Sequence, residues 1–167
     1  FLMSAIKESG YGSKIRLALD CAASEFFDDK NGKYTILNKN YNKGELVDFY
    51  KNLIKKYPII SIEDGFAQGD WEGWKLFNKE LGNKMQIVGD DLLVTNIMRI
   101  KKALDEKACN ALLLKVNQIG TVTEAIDAAN ISFKNKWNVV VSHRSGETED
   151  SFIADLSVGI GATQCKF

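Results

Sequence analysis

The chain has 167 residues, 45% of them hydrophobic, a length and composition that suit one domain with a sizeable core. Its 22 basic and 22 acidic residues give a formal net charge of zero, and no run of like charge is long enough for a nucleic-acid arm or a polybasic membrane patch. No apolar stretch approaches the roughly 20 residues of a membrane span, and the first residues lack the apolar core of a secretory signal. We therefore expect a soluble cytoplasmic protein that binds neither nucleic acid nor a membrane.

The helices predicted along the chain have apolar side chains at helical spacing, and most have a capping residue or a glycine stop. They are residues 1–9 before Gly10, residues 45–56, a helix from Asp70 to Gly82, a helix capped by Thr95 or Asn96, a helix opened by Thr121 with Glu124, and a last helix from about Glu147 to Leu156.

Short apolar runs alternate with these helices and are predicted to be strands. The runs are residues 15–19, 59–62, 86–89, 111–114 and 139–141. Each run ends in polar or ionisable residues, which are Asp20, Glu63, Asp90, Lys115 and the pair Ser142 and His143. In parallel α/β folds the chemistry collects at the carboxyl ends of the strands, so this pattern predicts an enzyme site.

The spacing of the strand ends leaves two α/β architectures open. Most ends lie about 25 residues apart, the size of one βα unit, which suits either a singly wound barrel or a doubly wound sheet. No G-x-G-x-x-G motif follows the first strand and the sequence contains no P-loop, which disfavours the nucleotide-binding folds.

The three acids at strand ends, Asp20, Glu63 and Asp90, are predicted to meet at one rim of the sheet. Three carboxylates at close range repel one another, and a divalent cation removes the repulsion. Hard oxygen ligands favour Mg²⁺, which keeps coordination positions for water and substrate. For any one of these acids alone, capping the next helix or facing solvent is the simpler interpretation.

Lys115 ends a very apolar strand and has two interpretations. Partial desolvation there favours a neutral amine, which could act as a base. Alternatively, the side chain extends from the strand end to solvent.

The segment 142–150 places polar groups at a strand-to-helix turn. Arg144 can bind a phosphate through two hydrogen bonds, and Ser145 and backbone N–H groups can donate to the same anion. His143, the only histidine of the chain, lies beside them.

Five motifs together resemble the enolase family, the glycolytic phosphopyruvate hydratases. They are LDCAASEF (19–26), YPIISIED (57–64), VGDDL (88–92), LLLKVNQIG (112–120) and SHRSGETED (142–150). The resemblance implies an α/β fold, a TIM-type (β/α) barrel of the enolase superfamily that is incomplete, with about six barrel strands present.

The resemblance also implies an activity, the reversible Mg²⁺-dependent dehydration of 2-phosphoglycerate to phosphoenolpyruvate. Asp20, Glu63 and Asp90 match the metal ligands, and Lys115 matches the base that takes the C2 proton. The residues implied to contact substrate are Glu63, Asp90, Ser142, His143, Arg144, Ser145 and Lys166, with His143 counted among the catalytic residues and Lys166 on the substrate carboxylate.

The resemblance covers residues 1–167 as part of the family's C-terminal domain. The family's N-terminal α+β domain, early barrel and closing helix have no counterpart here, so the general-acid glutamates lie outside the chain. We therefore expect this stretch alone to be inactive and a full-length parent to be a homodimer. Gly65 stands where the family usually has proline, which we expect to loosen the loop behind Glu63, and residues 162–166 depart from the family pattern ahead of Lys166.

Two alternatives remain. One is another enolase-superfamily lyase or isomerase that acts on a different carboxylate, which the match at Arg144 and Ser145 disfavours. The other is a non-catalytic role, such as a surface enolase that binds plasminogen, which no sequence feature selects.

The three cysteines, Cys21, Cys109 and Cys165, are widely spaced and lack the spacing of metal ligands. Because each lies beside an apolar segment, we expect reduced thiols within the core.

Overall fold

A computed structural model describes residues 1–12, 14–144 and 148–167. Within these residues the strands, numbered along the chain, are β1 (Leu17–Asp20), β2 (Phe27–Asp28), β3 (Lys33–Ile36), β4 (Lys39–Tyr41), β5 (Ile59–Glu63), β6 (Gln86–Gly89), β7 (Ala111–Leu114), β8 (Asn138–Ser142) and β9 (Gln164–Lys166). The helices are α1 (Leu2–Glu8), α2 (Lys43–Lys56), α3 (Trp71–Leu81), α4 (Ile97–Glu106), α5 (Val116–Ile119), α6 (Val122–Lys134) and α7 (Phe152–Gly159). None of the helices in the described residues has the length and apolar character needed to cross a membrane.

Six strands form one parallel sheet in the order β1-β5-β6-β7-β8-β9. Sequential strands are neighbours, so the sheet is singly wound and curls into a half-barrel, which excludes the doubly wound alternative. The five predicted strands are confirmed to within two residues, and β9 is the sixth. All six carboxyl ends therefore lie along one rim.

The two faces of the half-barrel bury different side chains. The outer face, including Ile62, Ile87 and Leu112, belongs to the main core under the helices. The inner face carries a separate small cluster of apolar residues, which are Val88, Ala111, Leu113 and Val140. The concave side also borders a cavity of about 670 Å³ that reaches the rim at Asp20, Glu63 and Lys166. The inner face thus leads directly to the predicted site.

A small antiparallel sheet of β2, β3 and β4 follows a 3-10 turn at Ala23–Phe26 and was not predicted. Its strands are two to four residues long and lie in a polar segment, so they carry little periodic signal. Tyr34 attaches this sheet to the barrel, because its buried hydroxyl donates to Asp70 Oδ2 at 2.8 Å and accepts the N–H of Ala67 at 3.1 Å.

The predicted start of the last helix is wrong. Thr148–Ser151 are not helical, and α7 begins at Phe152 rather than near Glu147, a residue that lies outside the described ones. The acids predicted for its first turn therefore precede the helix. One of them, Asp150, accepts the N–H of Phe152 with its Oδ1 at 2.8 Å. The last helix therefore begins about five residues later than the sequence predicts.

The prediction that all three cysteines lie in the core is also wrong. Cys109 is buried and Cys21 is partly buried, but Cys165 is exposed on β9, which has a neighbouring strand on one side only. Burial raises the pKa of the Cys21 thiol to about 11 and raises that of Cys109 as well. Both are thus kept as unreactive thiols near neutral pH.

We expect iodoacetamide to alkylate Cys165 well before Cys21 and Cys109 in a folded chain of residues 1–167, because Cys165 is exposed on the edge strand β9 while the other two residues are partly or fully buried. Mass spectrometry of peptides sampled over time measures the three rates separately. Cys165→Ser should remove the fast phase and leave the slow ones. Alkylation of Cys109 at the rate of Cys165 would contradict the burial.

Candidate active site

Asp20 and Glu63 lie side by side at the carboxyl ends of the paired strands β1 and β5. The ammonium group of Lys166, at the end of β9, donates to both, at 2.7 Å to Asp20 Oδ2 and 2.9 Å to Glu63 Oε1. One cationic nitrogen therefore sits between two carboxylates that come from the opposite edge of the half-barrel. These three predicted residues are brought together.

Asp90 and Lys115 form a second pair at the ends of β6 and β7. Lys115 Nζ lies 2.5 Å from Asp90 Oδ2, and the exposed fractions of the two side chains are 13% and 11%. The alternative in which Lys115 extends freely to solvent is therefore wrong. The strand is fully buried up to Leu114, so the lysine is held at the rim against a carboxylate.

Electrostatics link the two pairs. Burial raises the pKa of Glu63, and the charges of Asp20 and Asp90 raise it further, while the hydrogen bond from Lys166 lowers it. Burial opposes charge on Lys166 as well, yet its hydrogen bonds to Asp20 and Glu63 prevail and raise its pKa. Asp20 and Asp90 therefore both oppose the negative charge on Glu63 across the rim, and a cation such as the Lys166 ammonium relieves the repulsion.

Asp64 is a site residue that the sequence analysis did not assign. Its carboxylate is buried, and its two oxygens accept the backbone N–H groups of Asp90 and Asp91, each at 2.9 Å. Burial raises the pKa of Asp64 to about 7 against the effect of these two donors. Asp64 thus ties the end of β5 to the segment after β6. In the sequence, Asp64 could have been found as a second acid that directly follows Glu63 at the end of this strand.

Oxygens of Asp64, Asp90 and Asp91 lie within 4.8 Å of one another and form a group of potential metal ligands that includes one predicted ligand, Asp90, but not Asp20 or Glu63. Both Asp64 oxygens already accept N–H groups, so Asp64 positions its neighbours. The predicted ligands Asp20 and Glu63 share a cation instead, the Lys166 ammonium. A carboxylate set that already surrounds one positive charge suits a hard divalent cation.

The loop after β8 is attached to the same rim. Ser142 pairs in register with Lys166, its hydroxyl donates to the carbonyl of His143 at 2.9 Å, and the N–H of His143 donates to the carbonyl of Lys166 at 3.3 Å. His143 is partly exposed and borders a cavity with Asp150 and Phe167, and Arg144 is exposed. Ser145 lies outside the described residues. The structure places Ser142 and His143 beside Lys166 but not against the carboxylates.

Gly65, the departure behind Glu63, lies in a closely packed segment. A Cβ at this position would stand 2.8 Å from Phe77 Cε1 and 3.2 Å from Ile62 Cγ2, so the backbone approaches these side chains more closely than another residue allows. The hydroxyl of Tyr50 donates to the Gly65 carbonyl at 2.9 Å. These contacts anchor the segment, and the expected loosening of the loop remains a prediction.

Comparison with known proteins agrees with this geometry. The family model described as "Enolase, C-terminal TIM barrel domain" matches residues 1–167. Proteins named enolase are 59% identical to the chain in Thermococcus kodakarensis, 58% in Thermococcus gammatolerans and 56% in Pyrococcus furiosus, each over 167 residues, 99% of this chain. The chain spans 39% of the length of each of these relatives. The chain therefore belongs to the enolase family, and the part of that family it represents is the C-terminal TIM barrel domain.

Proposed function

We propose that this chain is the barrel part of an enolase that reversibly dehydrates 2-phosphoglycerate to phosphoenolpyruvate with Mg²⁺. The observation that carries the proposal is the rim itself. Lys166 bridges Asp20 and Glu63 there, Lys115 contacts Asp90, and the charges of Asp20 and Asp90 both act on Glu63. Family membership supports the reaction, because the relatives that share more than half of its residues are named enolase.

Asp20, Glu63 and Asp90 would hold the metal ion. When bound, a divalent cation stabilises the negative charge that develops on the substrate as its proton leaves. The mutual repulsion of the three acids, now relieved by lysine ammonium groups, favours such an ion.

Lys115 is proposed to remove the proton from C2 of the substrate. Its amine is fixed at the rim by contact with Asp90 Oδ2, and the apolar strand behind it excludes water. Proton removal needs the neutral amine, and the proton taken from C2 would then reside on Nζ of Lys115.

The remaining rim residues are proposed to bind the two anionic groups of the substrate. Lys166 would pair with the substrate carboxylate, and Ser142, His143, Arg144 and Ser145 would hold the phosphoryl group. The hydrogen bonds from Ser142 to His143 and from His143 to Lys166 join these two subsites. Each anion is thereby bound locally, as a chain of zero net charge requires.

We also propose that the whole protein contains an N-terminal α+β domain, the early barrel strands and a closing helix, and that it is a cytoplasmic homodimer. The chain covers 39% of its relatives, which leaves room for these parts. The general acid that assists departure of the hydroxyl group would come from that remainder.

The test is an assay of the full-length protein with 2-phosphoglycerate, in which the absorbance of phosphoenolpyruvate is followed with and without Mg²⁺. We expect product only with the metal and none after chelation by EDTA. Residues 1–167 alone should form no product because the general acid lies elsewhere. A full-length protein that folds and binds Mg²⁺ but leaves 2-phosphoglycerate unchanged would overturn the proposal.

A further inference from the structure

A closed ring of hydrogen bonds connects Asp90 and Lys115 through two residues outside the proposed ligand and substrate sets. The N–H of Lys115 donates to Thr95 Oγ1 at 3.0 Å, and Thr95 Oγ1 donates to Gln118 Oε1 at 3.0 Å. Gln118 Nε2 donates to Asp90 Oδ1 at 3.2 Å, and Lys115 Nζ closes the ring on Asp90 Oδ2. The ring spans the ends of β6 and β7, the loop before α4, and α5.

The direction of every hydrogen bond in the ring follows from the groups involved. A carboxylate only accepts, so the amide NH₂ of Gln118 must face Asp90 and its oxygen must face Thr95. Thr95 Oγ1 already accepts from the backbone of Lys115, and its own proton is directed to the Gln118 oxygen at 3.0 Å in preference to the Leu113 carbonyl at 3.5 Å. Because each bond fixes the donor of the next, the four groups form one cooperative unit.

The backbone around Thr95 supports this role. Thr95 is fully buried and has a φ of +54°, directly after Val94 with a φ of +44°. β-branched residues rarely adopt this conformation, and it persists where surrounding contacts determine it. The neighbouring Asn96 caps α4, whereas the Thr95 hydroxyl makes its two shorter hydrogen bonds within the ring and only a 3.5 Å contact to the Leu113 carbonyl outside it. The strain therefore places a hydroxyl where Lys115 and Gln118 can both reach it.

We propose that Thr95 and Gln118 are positioning residues that orient the Asp90 carboxylate for the metal ion and hold Lys115 at the adjacent strand end. The inference rests on the proposed function for the identity of the metal site and the base. Gln118 fixes one oxygen of Asp90 and leaves the other facing Lys115. Thr95 acts on both partners, through the backbone of Lys115 and through the amide of Gln118.

The test uses full-length protein carrying Thr95→Val, Gln118→Met or both. Thr95→Val keeps the branched shape and removes the hydroxyl, and Thr95→Ser restores it. Isothermal titration calorimetry measures the Mg²⁺ dissociation constant without substrate, and steady-state assays give kcat and KM. We expect each single variant to weaken Mg²⁺ binding by about 10- to 100-fold and to lower kcat more than it changes KM, with Thr95→Ser near wild type.

A matched control separates positioning from general destabilisation. Thr121→Val removes a threonine hydroxyl that caps α6 by accepting the N–H of Glu124, away from the ring. It should lower the melting temperature and leave the Mg²⁺ dissociation constant unchanged. The four residues of the ring act as one unit, so the losses of the two substitutions should not add. The double variant Thr95→Val with Gln118→Met should bind Mg²⁺ as tightly as the single variant with the lower affinity.

The outcomes distinguish this inference from the proposed function. Wild-type Mg²⁺ affinity in both single variants overturns the positioning role even if the wild-type enzyme dehydrates 2-phosphoglycerate. A wild-type protein that binds Mg²⁺ but does not act on 2-phosphoglycerate overturns the function, while weakened binding in the variants still supports the ring. Equal loss of Mg²⁺ affinity in Thr95→Ser and Thr95→Val would also contradict the role of the hydroxyl, as would losses that add in the double variant.

Discussion

Lys115→Ala is expected to lower kcat for 2-phosphoglycerate dehydration by about 10²- to 10⁴-fold, the usual contribution of a general base. Lys115 is the lysine that the structure holds at the end of a fully buried strand, with a side chain only 13% exposed and in contact with Asp90. Among the described residues, the other rim lysine, Lys166, cannot replace it because its ammonium group is paired with Asp20 and Glu63. Exchange of the C2 proton with deuterated solvent should decrease in parallel with kcat.

The affinity for Mg²⁺ is a second measurement on Lys115→Ala, because it should stay the same or rise while kcat falls. The ammonium group of Lys115 now occupies the Asp90 oxygen that the metal would use, so removing it should leave Mg²⁺ binding as tight as in the wild type or tighter. A variant inactive because its metal site is damaged would bind Mg²⁺ more weakly. Calorimetric titration therefore separates loss of the base from loss of the metal.

Lys51→Ala is the matched control for this substitution. Lys51 lies on α2 and pairs with Glu80 at 2.7 Å, far from the rim, and surface ion pairs contribute little to stability. Its kcat should equal that of the wild type. Activity that survives Lys115→Ala while Lys51→Ala behaves as expected would remove Lys115 from the mechanism.

Much of this site could be predicted because parallel strands gather their carboxyl ends. The apolar runs ending in Asp20, Glu63, Asp90 and Lys115 needed only correct strand assignment to place four side chains on one rim. The parallel direction and sequential order of the strands then bring these ends together. The same periodicity could not separate a barrel from a doubly wound sheet, because that choice depends on which strands pair over distances that a local pattern does not contain.

The unpredicted features depend on tertiary contacts between polar groups. Thr95 was one of two candidate caps for α4, and only the fold shows that Asn96 is the cap and that Thr95 contacts Gln118 and the backbone of Lys115. Asp64 could not be assigned for the same reason, since its partners are the backbone N–H groups at positions 90 and 91. Hydrogen bonds between residues 20 or more positions apart leave no periodic trace in the sequence.

Asp64→Asn is expected to destabilise the rim by about 1–3 kcal/mol, the cost of leaving a buried hydrogen-bond donor without its acceptor. An amide can accept only through its oxygen, so one of the two N–H groups at Asp90 and Asp91 would face the NH₂ group and lose its acceptor. Asparagine tolerates the φ of +43° found at Asp64 as well as aspartate does, so the loss reports the hydrogen bonds and not the backbone.

Hydrogen–deuterium exchange of the full-length protein measures this effect where it arises. The amides of Asp90 and Asp91 should exchange about 10- to 100-fold faster in Asp64→Asn, since each 1.4 kcal/mol of lost local stability is a factor of ten. Asp127→Asn, the same substitution on the exposed face of α6, should leave both amides unchanged. Equal protection in wild type and Asp64→Asn would show that β6 and the segment after it hold their position without Asp64. The link from the end of β5 to Asp90 would then contribute nothing to the proposed metal site.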